Sequence, residues 1–448
     1  MKCIMLRRFI ISVFFMSFFN FGIAVNAAEI TVNTLSDEDN GDLSGPTISL
    51  REAIKYGNAN DTVKFSVVGT ILLLDELNID KNLTIIGPGA NVLTVSGNHN
   101  SKIFDIDSGV TVYISDLSVK DGLDTGNEGG GITNRGTLTI ERCIISNNET
   151  KHDGGGIYNS DGTLTVRDTT ISDNIADYLG GGINNNDGML TIENCTISNN
   201  KVVRLDSDEG AGGGIFSYQG FSIINSTISG NQAVGDGGGI YVEDDGNYPI
   251  IIDFTTFTKN IADSDNDGSG DGGGIFAESE ASVNIKNSIV AANDDQSPGG
   301  NVHPDCSGSG DFVTGGGNVI GNNAGCDGDF PTGDPNGNGD MVGSPSDPID
   351  PRLGPLSDNG GETETHALLS DSPAIDGAAD CHSISSSFVP EDQRHIGRPQ
   401  GPNCDSGAYE LELLPIPTIG FSGMFVVLAL ITVLGAIGIR KRRSQGTF

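Results

Sequence analysis

Short runs in which apolar and polar residues alternate recur along the chain. Six of them align with one another, and each ends in asparagine: TLTIERCIISNN, TLTVRDTTISDN, MLTIENCTISNN, FSIINSTISGN, IIIDFTTFTKN and VNIKNSIVAAN. Alternation with period two, in segments rich in Thr, Ile and Val, is typical of short β-strands and does not fit helical spacing. The pattern therefore predicts many short strands with no helices between them.

The tetrapeptide GGGI stands before each run. Its six copies begin at Gly129, Gly154, Gly180, Gly212, Gly237 and Gly272. Glycine loses more backbone entropy on folding than any other residue, so a repeated triple glycine indicates a backbone geometry that a Cβ would forbid. We expect each copy to turn the chain sharply and to place its isoleucine in the core.

A repeat of this kind cannot bury its own apolar face, so successive copies must stack. The predicted fold is all-β: a single-stranded right-handed parallel β-helix, or solenoid, of roughly nine coils spaced by about 4.8 Å. We expect an N-terminal cap helix and a C-terminal transmembrane helix in addition. Stacking would place the last asparagine of each run in one column, as a structural ladder of amides or, alternatively, a ligand-binding stripe. The column comprises Asn148, Asn174, Asn200, Asn231, Asn260 and Asn293.

The cysteines divide into two groups. Cys143 and Cys195 occupy equivalent inward positions two coils apart, which is farther than the roughly 7 Å that a disulfide spans between Cα atoms. We expect them to be buried free thiols. The exported chain favours bridges among Cys306, Cys326, Cys381 and Cys404; three connectivities are possible, and sequential pairing of Cys306 with Cys326 and of Cys381 with Cys404 is the expectation.

Both ends of the chain carry targeting features. Residues 1–27 combine early basic residues, an apolar run and a small-residue exit, which predicts a signal peptide. Near the other end, Ile419 to Ile439 is an apolar run long enough to cross a bilayer, and four basic residues follow it directly. The prediction is an exported envelope protein, held at least initially by this helix with its basic tail in the cytoplasm. The formal net charge of −36 argues against nucleic acid as a partner.

Three segments resemble known families. ITVNTLSDEDNGD with TISLREAI resembles the CSLREA domain, and the phrases DPRLGPLSDNGGETETHALLSDSPAIDGA and CDSGAYE resemble the choice-of-anchor Q proteins. The segment around Ile416, Pro417 and Thr418 is similar to IPTL-CTERM sorting signals, whose handling by exosortase-type enzymes it implies. The expected organisation is a signal peptide at 1–27, a cap at 28–65, a β-helix at 66–298, an anchor-Q-like region at 299–414 and a sorting signal at 415–448. In the cap, Leu50, Ala53 and Ile54 would share one helical face.

One acidic loop has the spacing of calcium ligands. DSDNDGSGD places carboxylates at loop positions 1, 3, 5 and 9 with glycine at position 6, although the glutamate expected at position 12 is Gly274. We expect Asp263, Asp265, Asp267 and Asp271 to bind Ca²⁺; a solvated acidic insertion is the alternative.

The sequence predicts a structural, adhesin-like or matrix role, with a surface polysaccharide or another surface protein as partner. A polysaccharide lyase or glycoside hydrolase is one alternative, for which Arg142 and Arg167 with Asp153 and Asp168 are the candidates. A non-catalytic carbohydrate-binding protein is another. Aromatic residues near the GGGI turns favour that last class, although packing between coils explains them equally well: Tyr158, Phe216, Tyr218, Tyr241 and Phe276.

Overall fold

The computed structural model describes residues 27–412 except 127, 204–209, 244–247 and 299–301. The signal peptide, the transmembrane segment and the sorting motif Ile416 to Thr418 lie outside these residues. Within them, no helix has both the length and the apolar character needed to cross a membrane.

Three parallel sheets form the walls of a solenoid, and the chain visits them in turn. The first sheet contains Glu29–Val32, Thr62–Phe65, Leu83–Ile86, Thr111–Ser115, Thr137–Glu141, Thr163–Arg167, Met189–Glu193, Phe221–Ile224, Ile250–Asp253, Ser282–Lys286 and Asp311–Thr314. The second contains Gly69–Leu72, Leu93–Ser96, Ser118–Lys120, Ile144–Ser146, Thr170–Ser172, Thr196–Ser198, Thr227–Ser229, Thr256–Thr258, Ile289–Val290, Val319–Ile320 and Met341–Val342. The third contains Leu77–Ile79, Phe104–Ile106, Ile132–Asn134, Ile157–Ser160, Ile183–Asn186, Ile215–Ser217, Ile240–Val242, Ile275–Ala277 and Cys306–Gly308.

Shorter strands complete the described structure. Two-residue strands between the second and third sheets stack as Leu123–Asp124, Glu149–Thr150, Ile175–Ala176 and Lys201–Val202, and Ile261–Ala262 pairs with Asp294–Asp295. An antiparallel hairpin joins Leu353–Ser357 to Thr365–Leu368. The parallel β-helix predicted by the sequence is confirmed, but the solenoid is longer than the nine coils expected, because strands before residue 66 and after residue 298 stack on the same sheets.

Register follows the alternation of side chains. In Thr137–Glu141, Leu138 and Ile140 are buried, whereas Thr137 and Thr139 face outward. Leu138 pairs with Leu164, and Leu164 with Leu190, so like residues form continuous columns. A shift by one residue would turn every inward leucine to solvent, so the pattern itself fixes the register.

The GGGI turns allow close contact between coils. Gly154 has a φ of 70°, in the left-handed region, and a Cβ on Gly156 would come within 2.7 Å of the carbonyl oxygen of Gly182 in the next coil. The isoleucine that follows, Ile157, is fully buried. The triple glycine is therefore required by a tight turn and by backbone packing at the same position.

The helix Leu50–Tyr56 covers the N-terminal end of the solenoid. Ser49 and Glu52 form a capping box, in which each side chain accepts from the other residue's backbone N–H. Leu50, Ala53 and Ile54 are buried in the main core, as their shared helical face predicts.

The chain after the last coil folds back along the second sheet. The Gln393 side chain donates to the Cys195 carbonyl and accepts from the Thr227 hydroxyl. Buried ion pairs stabilise this returning segment: Arg394 contacts Asp392 at 2.7 Å, and Arg398 contacts Glu410 at 3.2 Å. These contacts place the returning segment against the second sheet.

Candidate functional site

The structure brings the six predicted asparagines into one buried column. Each Nδ2 donates to the Oδ1 of the next asparagine at 2.9 Å, along Asn148, Asn174, Asn200, Asn231, Asn260 and Asn293. The column ends at Asp305, whose Oδ1 accepts from the Asn293 amide and backbone. Each Oδ1 also accepts from the backbone N–H of the asparagine one coil earlier, as Asn174 Oδ1 does from Asn148. These bonds hold successive coils together, so the column has a structural role.

A second asparagine column was not anticipated. Asn134 donates to Asn159, and Asn159 to Asn185, at 2.7 Å, and Asn185 donates to the Ser217 hydroxyl at 2.9 Å. These residues stand two positions after the isoleucine of successive GGGI turns, a spacing that could have revealed the column.

The cysteines lie as their spacing indicates. Cys306 and Cys326 form one disulfide and Cys381 and Cys404 the other, with Cα atoms 5.8 and 5.6 Å apart. Cys143 and Cys195 are free and buried. The absence of water around them raises the pKa of the Cys195 thiol to about 12, which suppresses the reactive thiolate.

The acidic loop holds three of its four predicted ligands together. Carboxylate oxygens of Asp263, Asp265 and Asp267 lie within 4.8 Å of one another. The fourth residue, Asp271, is elsewhere: its carboxylate contacts His303 Nδ1 at 2.8 Å in a separate cluster with Asp295. The structure therefore places Asp271 with Asp295 and His303, apart from the other three predicted ligands.

Both candidate lyase arginines form ion pairs along the first sheet. Arg142 binds both carboxylate oxygens of Asp116, at 2.8 and 2.9 Å, and this contact raises its pKa. Arg167 donates to Glu193 at 2.6 Å. Of the candidate aspartates, Asp168 contacts His395 of the returning segment, and Asp153 contacts His152. Arg142 is consequently held in its protonated form, which is unsuited to a base.

A cleft lies on the outer face of the third sheet. It has a volume of about 570 Å³ and is lined by His152, Asp153, Tyr178, Leu179, Ala211, Phe216, Tyr218, Asp236, Tyr241 and Glu243. Four of the five aromatic residues singled out in the sequence form one cluster here. Phe216, Tyr241 and Phe276 stack on successive coils with ring centroids 4.9 and 5.1 Å apart, and Tyr218 meets Phe216 edge to face at 4.7 Å.

The stacked rings form an apolar cluster, and several of them also line the cleft. Phe216 and Tyr241 are almost fully buried, whereas Tyr218, Phe276 and Tyr178 are half-buried. Coil stacking sets this geometry, because Phe216 pairs in register with Tyr241, and Tyr241 with Phe276. The cleft thus combines an apolar wall with exposed aromatic edges.

The cleft is acidic. Burial raises the pKa of Asp236 to about 7, and nearby Asp271, Glu278 and Asp295 act in the same direction. Burial likewise raises the pKa of Asp153. The Tyr241 hydroxyl donates to Glu278 at 2.5 Å. Burial and the surrounding carboxylates therefore disfavour further negative charge in the cleft.

Buried polar atoms without a described partner lie on this face of the sheet, although Asn184 is not among the residues that line the cleft. Asn184 is 1% exposed, and neither its Oδ1 nor its Nδ2 has a hydrogen-bond partner among the described residues. It pairs in register with Phe216 on one side and Tyr158 on the other, so its side chain leaves the same face of the sheet. Asp153 Oδ1 is likewise buried and has no hydrogen-bond partner in the part of the chain that the structure describes. Such groups are costly in a protein interior.

Comparison with protein-family models agrees with the β-helix fold. Residues 88–257 match the family model described as the right handed beta helix region, and residues 254–278 match the Chlamydia polymorphic membrane protein repeat. Among solved structures, the crystal structure of pectate lyase Pel9A aligns with a TM-score of 0.46 at 10% identity, covering 86% of this chain and 96% of the pectate lyase chain. The search of curated proteins gave no significant match.

Proposed function

We propose that this protein is an adhesin-like β-helix of a bacterial envelope that binds a glycan in the cleft of the third sheet without cleaving it. The observation that carries the proposal is the combination, on one face, of half-buried aromatic rings and the unpartnered amide of Asn184. Ligand sites typically join an apolar wall to a few polar groups that fix orientation. Sugars offer both C–H surface and hydroxyl groups, and so satisfy both features.

The unpartnered amide favours a polar ligand over a purely apolar one. An amide can donate twice and accept through its oxygen. A hydroxyl or acetamido group that reaches Asn184 would supply the missing partners and offset the cost of burying it. Tyr218, which lines the cleft, provides ring surface on which a sugar can lie.

The spacing of the carboxylates favours binding over hydrolysis. Asp153 and Asp236 directly precede the first glycine of GGGI turns that are three coils apart, which corresponds to roughly 14 Å at about 4.8 Å per coil. Inverting glycosidases hold their carboxyl pair about 6.5 to 9.5 Å apart, and retaining enzymes hold it closer. This pair is too widely separated for either mechanism.

Envelope display and calcium belong to the same proposal. The signal peptide, the apolar C-terminal run and the CSLREA, anchor-Q and IPTL-CTERM resemblances support export and anchoring, as does the match of a short segment to a polymorphic membrane protein repeat. Exosortase-type processing of the tail is part of this hypothesis. Ca²⁺ at Asp263, Asp265 and Asp267 would stiffen the loop, since hard carboxylate oxygens at this spacing suit that ion.

Binding of a glycan panel to the full-length protein tests the proposal. Calorimetry against neutral, acidic and amino-sugar oligosaccharides is expected to find at least one ligand, with no new reducing ends or unsaturated products in the same mixtures. Tyr218→Ala should weaken that binding at least tenfold.

The matched control is Tyr113→Ala, which removes a tyrosine from the outer face of the first sheet. Binding that survives Tyr218→Ala but not Tyr113→Ala would move the site to another face. Product formation would replace the adhesin hypothesis with an enzyme, and a panel without any ligand would refute the glycan hypothesis.

A further inference from the structure

We infer that the protein has a second sugar site, in a groove between the solenoid and the returning segment, and that this site takes a neutral sugar residue. The return groove has a volume of about 380 Å³ and lies between the first-sheet strands Phe221–Ile224 and Ile250–Asp253 and residues 383–391. Among the described residues, none lines both this groove and the cleft of the third sheet. The inference therefore adds a site and does not depend on that cleft.

Asn225, at the corner between the first and second sheets, lines the return groove and carries an unpaired atom. The residue is 7% exposed, and its Nδ2 donates to the Glu391 carbonyl at 2.9 Å. Its Oδ1 is buried and accepts no hydrogen bond within the described part of the chain. Rotation of the amide away from Glu391 would turn this oxygen toward the groove, where an O–H donor of a ligand could meet it. A buried polar atom without a partner is rare in native proteins and calls for such an explanation.

Asn287 shows that the returning segment can satisfy an amide at this corner. Register places Asn225 and Asn287 at the same corner position two coils apart, with φ values of 47° and 51°. The Asn287 amide donates to the carbonyls of Asp380 and His382. Its Oδ1 accepts from the Ala379 N–H at 2.8 Å. At Asn225, the described part of the same segment supplies an acceptor and no donor, so the segment closes on the corner at one coil and leaves a groove two coils away.

The rest of the lining suits a sugar. Ser222 and Ser387 add hydroxyl groups, and the Phe388 side chain, which is 54% exposed, offers an apolar ring on which sugar C–H groups can pack. The disulfide between Cys381 and Cys404 anchors the loop that carries Ser387 and Phe388. The groove is therefore held in shape by the fold, which lowers the entropy cost of binding.

The acidic groups of the return groove already have partners, which favours an uncharged ligand. Arg167 donates to Glu193 at 2.6 Å, and a loop N–H donates to both carboxylate oxygens of Asp253, at 3.0 and 3.1 Å. His395 contacts Glu391 at 3.3 Å. An anionic sugar would meet repulsion from these carboxylates, and a cationic one would compete with pairs that the fold already makes.

Calorimetry of the full-length protein with three neutral trisaccharides, maltotriose, cellotriose and mannotriose, tests the inference. Tyr218→Ala serves as the background, because it removes ring surface from the third-sheet cleft and lies outside the return groove. In this background we expect at least one sugar to bind, and Asn225→Gly and Phe388→Ala each to weaken that binding at least tenfold. Glycine accepts the φ of 47° at residue 225, and Phe388 is exposed, so both variants should fold, which melting temperatures check.

The matched control is Tyr248→Ala, which removes an aromatic side chain that is 48% exposed and outside the lining of either site, and it should leave the affinity unchanged. A crystal structure with the bound sugar should show one of its hydroxyl groups on the Asn225 oxygen. Water alone on that oxygen, or binding that Tyr218→Ala by itself abolishes, would overturn the inference and leave the proposed function standing. Binding that Asn225→Gly abolishes and Tyr218→Ala leaves unchanged would support the inference and refute the proposed role of the third-sheet cleft.

Discussion

Replacement of Asn184 with leucine tests the central structural argument, because it separates stability from binding. The side chain is buried to 1% exposure with both polar atoms unpartnered among the described residues. Its in-register neighbours, Tyr158 and Phe216, are aromatic. Leucine has the same branching at Cγ and no polar atoms, so it removes the unpaired groups and offers methyl contacts to both rings.

The expected change in the free energy of unfolding follows from these contacts. A buried polar group without a partner costs about 1 to 3 kcal/mol, and cross-strand contacts between apolar and aromatic residues add about 0.2 to 1 kcal/mol. The larger leucine side chain offsets part of this gain, since overpacking costs about 1 to 3 kcal/mol where space is short. We expect Asn184→Leu to leave the protein as stable as the wild type or more stable by about 1 kcal/mol.

Asn185 provides an unusually close control. It is the next residue, has the same side chain and is fully buried, but its Nδ2 donates to Gly188 and Ser217 and its Oδ1 accepts from Asn159. Asn185→Leu would break all three bonds and leave the partners unsatisfied, at about 3 kcal/mol or more. The two variants should therefore move stability in opposite directions.

Denaturant unfolding followed by circular dichroism, with glycan binding measured on the same samples, would test this pair. We expect Asn184→Leu to retain the unfolding midpoint and lose at least tenfold in affinity. A loss of stability comparable to that of Asn185→Leu would show that Asn184 has a structural partner. Unchanged affinity would show that its amide does not meet the ligand, and would refute the observation on which the proposed function depends.

Three further predictions concern calcium, pH and thiol reactivity. Addition of CaCl₂ should raise the melting temperature, and a chelator should reverse this. Asp267→Asn should abolish the response, whereas Asp271→Asn, in a separate cluster, should keep it. Loss of the response in Asp271→Asn would show that all four aspartates bind the ion. Burial raises the pKa of Asp253 to about 6, above the value of about 3.9 in an unfolded chain, so its ionisation lowers the free energy of unfolding as pH rises from about 4 to about 6. The stability of Asp253→Asn relative to wild type should therefore grow by about 2 kcal/mol over that range in urea titrations. A difference that does not change with pH would contradict the raised pKa. Cys143 and Cys195 should react with an aromatic disulfide reagent only after unfolding, since burial raises the pKa of both thiols to about 12; rapid labelling of the native protein would exclude their burial.

The repeated columns could be derived from the sequence because they are local. The alternation in TLTIERCIISNN sets which side chains point inward, and the period of the repeat brings Asn148 next to Asn174 without knowledge of any distant contact. Gly154 is interpretable for the same reason, because its left-handed φ of 70° is required within a single turn. Stacking then multiplies a single local rule along the rod.

The sequence could not decide contacts between segments that leave the repeat. The returning segment places Gln393 beside Cys195 and His395 beside Asp168, across separations of 198 and 227 residues, and no periodicity encodes such pairs. Asp271 joins His303 rather than Asp263 because two loops from different coils meet there.

The cleft shows the same division. The sequence by itself determined that Phe216, Tyr241 and Phe276 would fall in one column, since each follows the isoleucine of a GGGI turn. Only the tertiary structure decided that carboxylates line a cleft beside this column and that the Asn184 amide has no partner among the described residues, because burial and pairing depend on what the neighbouring loops place over the sheet. Columns arise from repetition along the chain, whereas a site arises from side chains of different coils and loops that converge on one face.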